Sequence, residues 1–144
     1  TSSLFLLFNF NRQRNLILGG KSVATLLRDA QQRSINQEQG HYWGVRLENL
    51  PPQNRFLLFH VASVPFSAVA TTTLMFLRGP LDFLQPAAGN TTDVVFDKMS
   101  GVIINDADCL SNPVNHSIIA QIGIRNNNNA STSVRIYCNG RIEF

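Results

Sequence analysis

Three kinds of residue in this 144-residue chain could do chemistry: three histidines, an acidic cluster beside asparagine, and an aromatic group next to an arginine. The aromatic group is His41-Tyr42-Trp43, which holds the only Trp and one of two Tyr, just after a polar loop ending at Gly40. Aromatic rings with a polar edge suit sugar or partner recognition, and Arg46 would supply the charge for an anionic sugar or an acidic partner. The plainer alternative is a strand in which Trp43, Val45 and Leu47 face a core while Tyr42, Gly44, Arg46 and Glu48 face outward. The candidate ligand-binding residues are therefore His41, Tyr42 and Arg46. Gln37 and Gln39 join them from the loop Gln37 to Gly40, and Asn127 and Asn128 from the loop Asn126 to Asn129. Loops held by a rigid scaffold are where recognition concentrates.

The remaining chemistry-bearing residues give no complete motif. His41, His60 and His116 are dispersed, and none has a second His at metal-ligand spacing. A zinc or iron site needs a tight His/carboxylate cluster, so no metal and no cofactor are expected. Asn105-Asp106-Ala107-Asp108 lacks the central Gly and the bidentate Glu of a calcium loop and reads as a solvated turn. Gly19-Gly20-Lys21-Ser22 lacks the earlier glycine of a phosphate-binding loop and reads as a strand-to-helix turn with Ser22 as N-cap. No Gly-x-Ser-x-Gly nucleophile elbow is present, and no catalytic residue is assigned. Cys109 and Cys138 are the only cysteines; they could form one bridge, but the favoured reading is two buried free thiols. Three glycosylation sequons, at Asn90, Asn115 and Asn129, are no more than chance supplies in so Asn-rich a chain.

The elements that must position these groups read mainly as strands. Ser3 to Phe10 (SLFLLFNF) reads as a strand apolar on both faces, and Leu16-Ile17-Leu18 as a short apolar run. Ser22 to Arg33 is the one helix, because Val23, Leu26, Leu27 and Ala30 recur at helical spacing. From Tyr42 onward the texture is β almost throughout, and the whole chain then reads as about nine or ten short strands at turn spacings of roughly eight to twelve residues. Strands are read at Tyr42 to Leu47, Arg55 to Ala62, Ala68 to Arg78, Val94 to Phe96, Val102 to Ile104 and Ile118 to Arg125. Leu81 to Thr92 and Asn105 to Asn115 read as loops. The chain ends in a hairpin around Asn139-Gly140. A two-residue loop there would mix charged and apolar groups on both faces. A three-residue loop, Cys138-Asn139-Gly140 with Gly140 left-handed, pairs Ile136 with Ile142 and Arg135 with Glu143, and is preferred.

The fold expected is thus one domain, 1–144: a mainly β, antiparallel, jelly-roll-like β-sandwich with one short helix near the N-terminus. Several strands are apolar on both faces, which predicts either cover by the helix and loops or burial between subunits. A homo-oligomer is inferred. The net charge of +3 sets ten Arg and two Lys, scattered along the chain, against nine acidic residues, which argues against nucleic-acid binding. No apolar run reaches eighteen residues, so no membrane insertion is expected. Thr1-Ser2-Ser3-Leu4, without an initiator Met, reads as a fragment or processed product.

In texture over most of its length the chain resembles the trimeric jelly-roll heads of viral and bacteriophage fibres and spikes, and the tumour-necrosis-factor-like group. The residues carrying the resemblance are Ser117 to Arg125, Asn126 to Asn129 and Ser131 to Phe144. The Thr-Leu-Trp-Thr opening of mammalian adenovirus fibre heads is absent, and the helix is not part of a minimal head. The resemblance implies a homotrimer on a virion surface or otherwise extracellular, attaching to a host-cell receptor or glycan. The expected function is accordingly a non-enzymatic attachment or spike-head domain gaining avidity from its oligomer. A shell-forming capsid domain is the alternative, and a small β-fold enzyme the third reading.

Overall fold

The computed structural model describes the backbone of residues 2–66, 68–125 and 127–144, and the side chains of residues 4, 7, 11–66, 68–125 and 130–144. The protein is mainly β, with two four-stranded antiparallel sheets and one long helix near the N-terminus, an arrangement consistent with a β-sandwich.

The helix α1 runs from Ser2 to Ile35. It is far longer than the expected Ser22–Arg33 segment, and both Ser3 to Phe10 and Leu16 to Leu18 belong to it rather than to strands. Leu16, Gly20, Val23, Leu27, Ala30 and Ser34 recur at alternating steps of four and three, and all are buried. That stripe is what the sheets cover. Gly19 and Gly20 do not end the helix; they let it approach sheet residues closely. A Cβ on Gly19 would lie 2.9 Å from Leu81 Cδ1, and one on Gly20 would lie 3.0 Å from Thr132 Cγ2 and collide with the Phe144 ring. Ser22 is accordingly not an N-cap. Its Oγ donates back to Leu18 O at 2.9 Å, as mid-helix serines do.

The first sheet has the order β3-β2-β1-β5, from β1 (Tyr42–Leu50), β2 (Gln53–Val61), β3 (Ala70–Phe76) and β5 (Thr91–Phe96). The second has the order β4-β6-β7-β8, from β4 (Leu81–Gln85), β6 (Ser117–Ile124), β7 (Asn127–Tyr137) and β8 (Ile142–Glu143). β4 occupies part of the expected loop Leu81 to Thr92, and β7 starts at Asn127, inside the expected Asn126 to Asn129 loop; Asn126 itself lies outside the described residues. Asn49 ties the sheets together, its Nδ2 donating to Phe83 O and Pro86 O at 2.9 Å each.

One core joins α1 to the inner faces of both sheets, with Trp43, Val45, Leu47, Phe56, Leu58, Phe96, Ile122 and Ile136 at its centre. A second, smaller cluster fills the outer face of the first sheet: Leu57, Phe59, Val61 and Val95, covered by Tyr42, Val64, Phe66, Val69 and Ile104. The two apolar faces of β2 are therefore both covered within one chain. β3 is different: Leu74, Met75 and Phe76 stay exposed on an edge strand.

A five-residue helix, α2 (Ala107–Ser111), replaces part of the loop expected from Asn105 to Asn115. Asp106 caps it, its side chain accepting from the backbone N–H of Asp108 and Cys109. The cysteines are not free thiols: Cys109 of α2 is bridged to Cys138 at the end of β7. The terminal hairpin has the preferred register, with Ile136 opposite Ile142, Arg135 opposite Glu143 and Gly140 at φ +92°. The charges there are used differently, however. Glu143 accepts a hydrogen bond from the Tyr137 hydroxyl, and Arg135 donates to Ser117 Oγ at 3.4 Å.

Candidate functional site

The start of β1 gathers a set of polar and aromatic groups. After α1, three residues adopt left-handed backbone in quick succession: Gln37 at φ +53°, Gln39 at φ +57° and Gly40 at φ +68°. For the two glutamines this geometry is costly, and such positions cluster at functional turns. The turn delivers His41 beside His60, with their Nδ1 atoms 2.6 Å apart. The β1–β2 register sets the second partner, since Trp43 stands opposite His60. The Trp43 indole is fully buried and lies 4.7 Å from the His60 ring. It is fixed by its Nε1–H, which donates to Glu38 O at 2.9 Å, and by Arg33, whose guanidinium sits 4.9 Å over the ring. Buried Ser34 completes the anchorage, accepting the Trp43 N–H at 2.7 Å and donating to Phe96 O at 2.9 Å. Burial, and then the neighbouring His41, hold His60 below the usual imidazole range, against the opposing pull of Glu38.

The sequence-derived candidates do not converge on one site. Gln37 and Gln39 are exposed on the turn, with His41 at its end. Tyr42 and Arg46 lie on the opposite, outer face of the first sheet. There Lys98 Nζ sits 4.5 Å over the Tyr42 ring. Arg46 makes a two-pronged ion pair with Asp93, at 2.7 and 3.0 Å, and lies over Phe59. Its charge is committed within the fold, which removes it as a free anion hook. Asn127 pairs with Ile124 at the far end of the second sheet. The side chains of Asn127 and Asn128 lie outside the described residues.

That far end carries its own polar network. Arg125 grips both carboxylate oxygens of Asp82 at 2.9 and 3.0 Å, and Asn54 Nδ2 donates to the same group at 2.8 Å. The hydrogen bonds from Arg125 hold the Asp82 carboxyl below its ordinary value, with burial opposing and the Arg125 charge and Asn54 assisting. A carboxyl depressed in the folded state contributes stability above its unfolded pKa of 3.8 and loses that contribution as pH falls through the folded value. Wild-type protein should therefore lose stability more steeply than Arg125→Met below about pH 4. The urea midpoint measured from pH 5 to pH 2 checks this; parallel curves would contradict it.

Asp106, Cys109 and His116 place one potential metal-ligand atom each within 4.8 Å of one another. The disulfide removes the Cys109 thiolate, and Asp106 is engaged as the cap of α2, so this cluster is a structural knot.

Among the described residues, exposed apolar side chains on α1 and β3 form a second candidate surface. At about 1.5 Å per residue, α1 is about 51 Å long, whereas a nine-residue strand spans about 30 Å. Before Asn15 no described side chain of α1 is buried, and Leu4 and Leu7 are 70% and 56% exposed. At ~100° per residue, Leu4, Leu7 and Leu18 fall within ~60° of one another on the helix. Leu18 then borders a groove shared with Ser22, Thr25, Leu26 and Met75, next to exposed Phe76. Among the described residues no helix is long and apolar enough to cross a membrane. No protein-family model, curated protein or solved structure matches the chain.

Proposed function

We propose that this chain is a non-enzymatic structural subunit that works as a homo-oligomer, built through α1. The observation that carries this reading is the set of exposed apolar side chains Leu4, Leu7 and Leu18 on one side of α1, with exposed Met75 and Phe76 beside Leu18. Exposed apolar side chains gathered on one side of a helix are completed by another apolar surface. Side-by-side packing of the first halves of α1 from several copies would supply that surface, leaving the β body outside. The Cys109–Cys138 bridge supports a site of action in an oxidising compartment, outside the cytosol.

Attachment to a host receptor or glycan from a virion surface is the form of this role that the resemblance implies. In that form the recognition surface shifts. Arg46 is paired with Asp93, so the exposed turn with Gln37, Gln39 and half-buried His41 is the better candidate. Weak contacts there would gain strength by repetition in the oligomer.

The two native cysteines are bridged, so Leu7→Cys introduces a lone thiol on the exposed stripe. Labelled with pyrene, this variant should show excimer emission that disappears on dilution with unlabelled chain. Monomer-only emission at every concentration would overturn the reading.

A further inference from the structure

We propose that His41 and His60 form a binding site for a divalent transition-metal ion of the kind that prefers imidazole, such as Zn²⁺, Ni²⁺ or Cu²⁺. The proposal rests on how the two rings are aimed. Their Nδ1 atoms converge to 2.6 Å, with ring centroids 4.8 Å apart. Without a metal, this contact can be satisfied by a single proton, with one ring donating and the other accepting. With a metal, both lone pairs are used. Two nitrogens at 2.0–2.1 Å from one tetrahedral ion lie about 3.3 Å apart. Opening the pair by well under 1 Å is within reach of two half-buried rings at the rim of the sheet.

The surroundings favour a built site over a chance meeting. His60 is held by the β1–β2 register and by the buried Trp43 ring against it, so its position is set by the core. His41 is held by the left-handed turn, whose Gly40 and His41 N–H groups donate to Gln37 O and Glu38 O at 2.8 and 3.2 Å. Glu38 is the acidic group whose charge reaches His60, and its carboxylate is also paired with Arg33 at 3.1 Å. Two imidazoles with remaining positions open to water discriminate against Mg²⁺ and Ca²⁺, which demand oxygen ligands. Sequence spacing alone hides the pair because nineteen residues separate its members.

The test uses the full chain titrated with Zn²⁺ by calorimetry at neutral pH, with His41→Gln, His60→Gln and His116→Gln alongside. Saturable uptake of one ion per chain is expected, weakened about tenfold or more in each of the first two variants and unchanged in the third. His41 precedes β1, so His41→Gln should keep the wild-type melting temperature without metal even if His60→Gln does not. Absence of saturable uptake by wild-type protein would overturn the proposal. So would uptake that His41→Gln leaves unchanged, or uptake that His116→Gln abolishes.

Discussion

Replacing Cys109 and Cys138 together by alanine is expected to lower the unfolding free energy by about 3–4 kcal/mol. The bridge closes a loop across a separation of 29 residues, and in the chain-entropy account a closed loop of that size restricts the unfolded chain by about 3.6 kcal/mol. The consequence is local as well as global. α2 has five residues, too few to persist as an isolated helix, and it is fastened to the body through Cys109. A melting temperature lower by roughly 10–15 °C should result. Thiol reductant should produce a similar fall in wild-type protein and none in the double variant. Wild-type protein that melts at the same temperature with and without reductant would show that the bridge does not hold the fold.

Gly140→Ala is the second large effect, expected at about 2–4 kcal/mol of destabilisation. Two independent costs meet at this position. The backbone stands at φ +92°, where an added Cβ is strained. The same Cβ would also collide with Gly101 O and the Gln31 amide. That amide fastens α1 to the end of the second sheet, its Nε2 donating to Gly101 O at 2.9 Å and to Gly140 O at 2.7 Å. Gln31→Ala removes those two hydrogen bonds and leaves the backbone unstrained, so about 1–2 kcal/mol is expected from it. Denaturant midpoints of the two variants check the order. Equal losses would mean that neither the backbone strain nor the collision adds to the cost of the lost hydrogen bonds.

The parts of the fold that were legible in the sequence are those decided by local pairing. The terminal hairpin is the clearest. Only the three-residue loop gave one clean apolar face, and Ile136 does stand opposite Ile142. Trp43, Val45 and Leu47 share the buried face their alternation predicts. α1 was legible only where its apolar residues keep a helical period. SLFLLFNF has no polar side to reveal the period, and Gly19-Gly20 looks like a break until Leu81, Thr132 and Phe144 are seen against it. β4 was missed because it is a five-residue strand ending just before Pro86.

The site was less legible than the fold, for the same reason. His41 and His60 become neighbours only through the register of a hairpin. That register was recoverable: Pro51-Pro52 as the turn puts Leu50 opposite Gln53, and counting back puts Trp43 opposite His60. The candidates Tyr42 and Arg46 had the right strand but the wrong company. Arg46 meets Asp93, a residue 47 positions away on β5, and nothing near Arg46 in the sequence announces that partner.

The central claim is that the exposed apolar side of α1 is an interface between copies of this chain. The mass of the chain in solution, measured by sedimentation equilibrium, tests it most directly. A chain of 16.0 kDa should sediment as a multiple of that mass. Leu4→Glu with Leu7→Glu should return it to 16.0 kDa with an unchanged near-ultraviolet spectrum, because neither side chain is part of the core. A wild-type protein that stays at 16.0 kDa at its highest soluble concentration would contradict the account.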